Sequence, residues 1–298
     1  MKKILAVSGG VDSVVMLHMM REDPDVVVVH FDHGIRENSH EDAEFVRKLA
    51  ESYGLPFELG VGKLGPDVNE AGARKARWDF LFGLCGDGDK VHTAHHKDDV
   101  VETVVINCLR GTGWRGLAVL GDSERIERPL INMSKAEICR YAGENELHFR
   151  QDQTNNTEDY LRNRVREKLR DTAQAQIERV VELAEKQNDL KVEIDGLIEG
   201  VLHKTGGVDE KSYRMKRKMM ASLPEEIALE VLRKVVERTM VRSLTRMQLN
   251  KLLSEIITLQ NGKRISFGKE YFIEITREDA VFNKKAPQSG GWGVVKLG

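Results

Sequence analysis

The sequence predicts an α/β protein in which a parallel β-sheet carries helices on both faces, followed by a smaller, mainly helical domain with a short C-terminal β element. Two patterns predict this class. Over the first 110 residues, short β-branched runs alternate with longer amphipathic segments, as in consecutive βαβ units. From about Thr157 the pattern is helical, and from Gly262 apolar residues recur at every second position. We therefore expect a sheet domain at 1–172, a helical connector at 173–207 and a second domain at 208–298.

The elements of the sheet domain each have a local signal. Val26–Phe31 is a continuous β-branched run, typical of a strand that is covered on both faces. Gly54 and Pro56 end the second helix, and Ser134 with Glu137 forms a capping box at the start of the fifth. We place strands at 3–8, 26–31, 57–61, 90–95 and 125–130, and helices at 11–21, 41–53, 69–84, 98–110 and 134–145. This alternation predicts a Rossmann-like sheet.

The second half of the chain is predicted to contain helices and then strands. A basic helix covers about 157–170, and a long polar helix covers 174–203 until Gly206-Gly207 breaks it. Residues 210–260 predict further helices, one from Pro224 and one over 244–259. The alternation after Gly262 predicts a β-hairpin or meander, and the last dozen residues predict a loose tail.

Composition and charge restrict the class of protein. The 298 residues are 40% hydrophobic and 32% charged, as in a globular chain with a substantial core. No apolar run approaches the roughly 20 residues that span a bilayer, so we expect no membrane association. The apolar start at Met1–Val7 is too short for a signal peptide, and the three cysteines form no C-x-x-C pair, so we expect a cytoplasmic protein. The net charge of −2 by itself argues against a nucleic-acid partner.

The segment Ser8-Gly9-Gly10-Val11-Asp12-Ser13 lies between a buried strand and a helix. Glycines allow a ligand to approach the backbone closely, and a helix N-terminus offers free N–H groups, so the segment predicts a phosphate site. It has neither the Walker pattern, whose lysine is missing, nor the G-x-G-x-x-G spacing. Asp12 among phosphates predicts a bridging Mg²⁺. The alternative is a plain tight turn rich in small residues.

Further polar clusters follow the predicted strands and helices. Ligands of open α/β sheets lie at the carboxyl ends of strands, which places the first two clusters beside the phosphate loop. The clusters are His30-Phe31-Asp32-His33-Gly34-Ile35-Arg36, the run from His92 to Thr103, Arg110-Gly111-Thr112-Gly113, Arg128-Pro129-Leu130, and Tyr160-Leu161-Arg162-Asn163-Arg164-Val165-Arg166.

The loop pattern Ser-Gly-Gly-x-Asp-Ser resembles that of the PP-loop ATP pyrophosphatases, and the clusters in this order resemble the tRNA(Ile)-lysidine synthase family. The resemblance is dense over about 1–170 and looser to about 285. It implies ATP and Mg²⁺ as cofactors and isoleucine tRNA and free lysine as partners. The implied reaction joins lysine to C2 of the wobble cytidine of a tRNA with a CAU anticodon. It proceeds by adenylation of the cytidine and releases AMP and pyrophosphate.

The resemblance also implies roles for individual residues. The implied catalytic residues are Asp12, Asp32, His95, Asp99, Glu102 and Arg166. ATP is expected to contact Ser8, Gly9, Gly10, Val11, Asp12, Ser13, Arg74 and Arg77, with Asp12 as the Mg²⁺ ligand. The substrates are expected to contact His95, Asp99, Glu102, Arg110, Arg128, Arg162 and Arg166.

Each of these residue patterns also has a purely structural interpretation. Arg74 and Arg77 are equally well explained as a solvated helix face, and Asp98 and Asp99 as favourable charge at a helix start. Asp32 is either a ribose or Mg²⁺ ligand or a buried hydrogen-bonding carboxylate. The spacing of His92, His95 and His96 fits no zinc pattern.

Positive charge is clustered despite the balanced total. Residues 162–170 carry five basic side chains and one acidic one, and 211–218 carry five basic side chains and no acidic one. Either cluster alone is most simply a solvated helix face, but two downstream of a nucleotide site favour tRNA binding. Compared with longer members of the family, we expect any second C-terminal tRNA-binding domain to be missing or reduced.

Two other functions stay open. One is a different PP-loop adenylating enzyme, such as a tRNA thiolase or an amidotransferase-type ligase. The other is a nucleotide-binding protein without catalysis. The oligomeric state is not determined by the sequence, and a homodimer is one of the states it allows.

Overall fold

The computed structural model describes residues 1–34, 39–62, 70–150, 159–170, 172–205, 207–209, 212–240, 244–267, 271–283 and 293–296. The chain divides into two compact units, Met1–Asp189 and Leu190–Gly298. The division falls inside one long helix, Gln174–Thr205, which contains most of the predicted connector.

The first unit is built on a parallel sheet. Within the described residues its strands are β1 (Lys3–Ala6), β2 (Val26–Asp32), β3 (Phe57–Val61), β4 (Lys90–Thr93) and β5 (Ile126–Glu127). They pair in the order β3-β2-β1-β4-β5, and every pairing is parallel. The predicted parallel sheet is therefore confirmed, although the fifth strand is only two residues long.

Helices cover both faces of this sheet. The described helices of this unit are α1 (Val11–Met20), α2 (Ser39–Ser52), α3 (Glu70–Gly83), α4 (Lys97–Leu109), α5 (Lys135–Glu144) and α6 (Asp159–Leu169), of which α6 contacts α4. Successive residues of β1 point to opposite faces, so Leu5 packs with Val15 of α1 and Ile138 of α5, whereas Ile4 packs with Leu81 of α3. Ser134 caps α5, accepting from the backbone N–H of Glu137 at 3.3 Å, as the capping box predicts.

The second unit combines helices with a second sheet. After α7 (Gln174–Thr205), its elements are β6 (Gly207–Asp209), β7 (Ser212–Lys216), α8 (Arg217–Ser222), α9 (Glu225–Met240), α10 (Arg246–Thr258), β8 (Lys263–Phe267), β9 (Tyr271–Ile275), β10 (Asp279–Asn283) and β11 (Gly293–Lys296). The described strands pair in the order β11-β8-β9-β10-β7-β6, antiparallel except for β11 with β8. Residues of α9, α10 and one sheet face form a common core.

Two expectations for this unit are wrong. The helical pattern expected over 210–260 does not hold at 212–216, which form β7, because Tyr213 and Met215 are buried while Arg214 and Lys216 are exposed, a period of two. The terminal segment is not a loose tail throughout, since Gly293–Lys296 pairs with β8. Within the described ranges, no helix is long and apolar enough to cross a membrane.

Candidate active site

The strand order of the first sheet determines where a ligand can bind. The chain leaves β1 toward β2 on one side, and β4 pairs with β1 on the other, so connections diverge between these two central strands. In open α/β sheets the carboxyl ends of such strands border the ligand crevice. The segments there are Ser8–Gly10 after β1 and Ala94–His96 after β4.

The loop after β1 is organised by the hydroxyl group of Ser13. Its Oγ accepts hydrogen bonds from the backbone N–H groups of Ser8 and Gly9, both at 3.1 Å, and donates to the carbonyl of Gly10 at 2.9 Å. The first bond inside α1 runs from the N–H of Val14 to the carbonyl of Gly10 at 3.0 Å. The N–H groups of residues 11–13 precede that bond and are the free donors of a helix N-terminus.

Gly9 allows the loop to turn tightly. Its φ of +93° lies in a region that favours glycine, and a Cβ there would meet Phe45 Cδ1 at 3.4 Å. Its carbonyl accepts from the N–H of Arg150 at 2.9 Å, and the Arg150 guanidinium pairs with Asp42 and Glu41 of α2. Arg150 therefore connects the loop to α2 through one backbone hydrogen bond and two ion pairs.

Asp12 of α1 connects the loop with the start of α4. Its Oδ1 accepts a hydrogen bond from Lys135 Nζ at 2.5 Å and lies 3.9 Å from His96 Nε2. His96 immediately precedes α4, and its backbone N–H donates to Asp99 Oδ2 at 3.0 Å. The phosphate loop and the acidic start of α4 thus belong to one site.

The adjacent histidines differ in charge preference. Burial lowers the pKa of His95 to about 4, so this ring is neutral at neutral pH, and its Nδ1 lies 2.9 Å from Thr93 Oγ1. Burial also disfavours the charged form of His96, but the carboxylates of Asp98, Asp99 and Asp12 outweigh it and raise the pKa of His96 above its usual value.

Glu102 is the deepest carboxylate of the site, with a side chain only 4% exposed. Arg166 Nε donates to its Oε1 at 2.5 Å, and Arg162 Nε lies 3.2 Å from its Oε2. Burial raises the pKa of Glu102, and the two arginines of α6 oppose that rise. Arg162 and Arg166 are four residues apart, so one face of α6 presents both to α4.

Further arginines surround His95. Burial lowers the pKa of Arg77, and the charge of Arg74 adds to the effect. Burial likewise lowers the pKa of Arg128, whose Nη1 donates to the carbonyl of Gly121 at 2.6 Å. Within the described ranges, the buried Nε atoms of Arg77 and Arg128 have no hydrogen-bond acceptor. Such mutually repelling cations favour an anionic ligand.

Two predicted site residues have other surroundings. Asp32 ends β2, where its Oδ1 accepts from the N–H of Gly34 at 2.8 Å and its Oδ2 accepts from Ser39 Oγ at 3.0 Å. The two bonds link the end of β2 to Gly34 and to Ser39, the first residue of α2. Arg110 is exposed at the C-terminus of α4, roughly 16 Å along the helix axis from Asp99.

The predicted basic cluster at 211–218 is only partly available to a ligand. The Arg217 guanidinium donates to four backbone carbonyls, those of Ile256, Ile257, Leu259 and Thr276. Lys216 lies 3.2 Å from both Glu278 Oε2 and Asp279 Oδ1, acidic groups supplied by another part of the chain. Arg217 therefore fixes the unit internally, and Lys216 is an ion-pair partner.

The residues present fit a nucleotide phosphate with Mg²⁺. Free N–H groups at the start of α1 and buried arginine Nε atoms are donors for an anion. Mg²⁺ commonly binds one or two carboxylates together with phosphate oxygens, and the Asp12 carboxylate belongs to the first turn of α1, where those N–H groups lie. Within the described ranges, no group of three or more His, Cys, Asp or Glu residues is arranged to hold a metal ion.

Sequence reasoning missed two contributors to the loop, Lys135 and Arg150. Lys135 is 123 residues from Asp12, and no motif spacing relates the two. Its position at the first turn of a capped helix was predictable, but its contact with α1 follows from how α1 and α5 pack together.

Comparisons with known proteins identify the family of the chain. Residues 1–173 match the family model of the PP-loop domain. The tRNA(Ile)-lysidine synthase of Solibacter usitatus is 42% identical over 172 residues, covering 55% of this chain and 39% of that protein. The tRNA(Ile)-lysidine synthase of Wolbachia from Brugia malayi is 31% identical over 255 residues, covering 78% of this chain and 58% of that protein. The resemblance predicted from the motifs is therefore confirmed.

A solved structure shares the fold. It is the U34-tRNA thiolase NcsA from Methanococcus maripaludis with its [4Fe-4S] cluster, at a TM-score of 0.52, 21% identity and coverage of 63% of this chain and 72% of that one. At this identity the likeness supports the fold alone. The chain spans less than two thirds of the length of the two curated synthases.

Proposed function

We propose, from the premise that this chain belongs to the PP-loop family, that it uses ATP to join lysine to C2 of the wobble cytidine of an isoleucine tRNA with a CAU anticodon. AMP and pyrophosphate would be the other products. The observation that carries the proposal is the proximity of Asp12 to His96, whose backbone N–H donates to Asp99 at the acidic start of α4. This proximity supports one crevice that would hold both the phosphates of ATP and an amine.

The first step must activate a poor electrophile. The C2 oxygen of cytidine is a poor leaving group, so it would attack the α-phosphate of ATP and pyrophosphate would leave. The adenylated oxygen would then depart as part of AMP when the amine attacks C2. The loop N–H groups and the N-terminal dipole of α1 would bind the phosphates of ATP. Mg²⁺ held by Asp12 would neutralise the charge that develops on those phosphates.

The second step brings in the lysine amine. The carboxylates of Asp99 and Glu102 would bind the ammonium of free lysine, with Glu102 held in place by Arg162 and Arg166. His95, neutral because of its low pKa, can accept a hydrogen bond from the attacking amine. Arg77 and Arg128 would bind phosphate oxygens of ATP or tRNA with their free Nε–H groups.

The charge of the second unit supports a tRNA partner. Residues 190–298 contain 20 Lys and Arg against 14 Asp and Glu, whereas residues 1–189 contain 26 against 34. An excess of positive charge attracts a polyanion and neutralises its phosphates. We propose tRNA binding for the second unit and adenylation for the first, in the cytoplasm, where tRNA and ATP meet.

The test is incorporation of radiolabelled lysine into an isoleucine tRNA transcript with a CAU anticodon, in the presence of ATP and Mg²⁺. We expect incorporation that requires ATP and disappears when cytidine 34 is replaced by uridine. Asp12→Asn should lower the rate by at least about tenfold, because a lost charge-assisted contact costs about 1.5–3 kcal/mol. Lys90→Ala, at the opposite edge of the sheet, should leave the rate unchanged.

The absence of incorporation by the unsubstituted chain would contradict the proposal. Sulfur incorporation into tRNA by the same protein would then favour the thiolase alternative. Nucleotide binding with no turnover of any kind would favour a non-catalytic binding protein.

A further inference from the structure

A lysine from a distant part of the chain lies at the phosphate loop. Lys135 is the first residue of α5, and its Nζ donates to Asp12 Oδ1 at 2.5 Å. The loop itself is followed by no lysine, unlike the Walker loop, in which a lysine reaches the β- and γ-phosphates. The packing of α5 on α1 therefore brings an ammonium to a place where the local sequence has none.

The backbone of Lys135 is fixed independently of this ion pair. Its N–H donates to Asp98 Oδ2 at 2.7 Å, and the carbonyl of Met133 accepts from the N–H of Lys97 at 2.9 Å. The segment before α5 is thus tied to the first turn of α4. The side chain of Lys135 spans from there to α1, so it lies between the two elements that border the crevice.

A purely structural role explains little of this arrangement. The side chains of Lys135 and Asp12 are 43% and 30% exposed. Ion pairs this accessible contribute about 0–1 kcal/mol to stability, since water screens them. An accessible ammonium beside free helix N–H groups, by contrast, is well placed for a phosphate ligand.

We propose that Lys135 is the phosphate-binding lysine that the loop lacks, contacting the β- and γ-phosphates of ATP. Without a ligand, Asp12 holds the Lys135 ammonium beside the loop. When ATP binds with Mg²⁺, phosphate oxygens replace the Asp12 carboxylate as partners of the ammonium. The carboxylate of Asp12 is then available to the metal ion. This assignment rests on the proposed function, because it presumes that the crevice binds ATP.

The test measures binding rather than turnover. Isothermal titration calorimetry with ATP, inorganic pyrophosphate and AMP, each with Mg²⁺, is compared among the unsubstituted chain, Lys135→Ala, Lys135→Gln and Lys135→Arg. We expect the Ala and Gln variants to bind ATP and pyrophosphate about tenfold or more weakly, as for a lost charge-assisted hydrogen bond. AMP lacks the outer phosphates, so its affinity should change less than about twofold, and Lys135→Arg should retain most of the pyrophosphate affinity.

Lys90→Ala is the matched control. The Lys90 side chain is 42% exposed and pairs with Glu127 at 3.3 Å, but it lies at the amino edge of the sheet. It should bind all three ligands as the unsubstituted chain does, and thermal unfolding should show that each variant is folded.

Different results overturn different statements. Pyrophosphate binding by Lys135→Ala and Lys135→Gln that equals the unsubstituted chain would overturn the assignment and leave the proposed function intact. Equal losses of AMP and pyrophosphate affinity would also overturn it, since they indicate a distorted loop. Failure of the unsubstituted chain to bind either ATP or pyrophosphate would overturn the proposed function and this assignment together.

Discussion

His95 and His96 are adjacent, yet their pKa values move in opposite directions from the ordinary 6.5. Burial disfavours the charged form of both rings. Three carboxylates, those of Asp98, Asp99 and Asp12, reverse the effect for His96, whereas the arginines around His95 add to it. The site thus has a neutral imidazole beside one that favours its proton.

The titration of His95 can be observed directly. We expect its NMR signals to remain those of the neutral ring down to about pH 5 and to titrate near the pKa of about 4. The unfolded chain takes up this proton near pH 6.5, so between about 6.5 and 4 the unfolded state binds more protons and stability falls as the pH falls. His95→Gln should flatten that part of the pH profile. A folded-state pKa at or above 6.5 would contradict the assigned environment.

Glu102 is a buried carboxylate whose charge is compensated by Arg162 and Arg166. Glu102→Ala leaves the partly exposed Arg162 and Arg166 without this carboxylate, so we expect a loss of about 1–3 kcal/mol in the free energy of unfolding, measured by urea denaturation. Glu44→Ala removes an exposed partner of Arg47 and should change stability much less. Equal effects of the two substitutions would show that Glu102 is not held as described.

At the scale of elements, replacing either of two glycines by alanine should change the stability of the chain in opposite directions. Gly9 has a positive φ and packs near Phe45, so Gly9→Ala should cost about 1–2 kcal/mol and weaken ATP binding. Gly196 is exposed within α7, and a Cβ added there would meet no neighbouring atom of the described residues within 4 Å. Gly196→Ala should therefore stabilise the chain by about 0.5–1 kcal/mol. Calorimetric unfolding measures both effects, and a stabilising Gly9→Ala would contradict the loop conformation.

The sequence predicted most elements of the first unit because their signals are local. Strand Phe57–Val61 has the predicted bounds, and the capping box at Ser134 marked the start of α5. The segment Ser212–Lys216 was missed because its five residues are too short for period two to stand out, and its partner Asp279–Asn283 lies more than 60 residues away. Non-local pairing of this kind leaves little trace in a local pattern.

The candidate site shows the same division between local and distant signals. The loop, the cluster at His95–Glu102 and the arginines of α6 were all predicted from motifs. Lys135 was not, because its contact with Asp12 joins residues 123 apart through helix packing. Nor did the sequence show that Arg217 is committed to four backbone carbonyls.

For the whole molecule, the net charge of −2 is the sum of opposite formal charges on the two units. Residues 1–189 have a formal charge of −8, and residues 190–298 have one of +6. A balanced total therefore does not exclude a nucleic-acid partner, because local charge determines phosphate binding. We expect the affinity for tRNA, measured by filter retention, to fall steeply as the salt concentration rises. The affinity for ATP should change less.

The release of AMP from ATP tests the central claim most directly, measured with and without an isoleucine tRNA carrying a CAU anticodon. If the chain adenylates the wobble cytidine, that tRNA alone should release pyrophosphate while AMP stays bound to the cytidine, and free AMP should form only when that tRNA and lysine are both present. AMP release that is independent of tRNA, or no release with tRNA, ATP, Mg²⁺ and lysine all present, would contradict the claim.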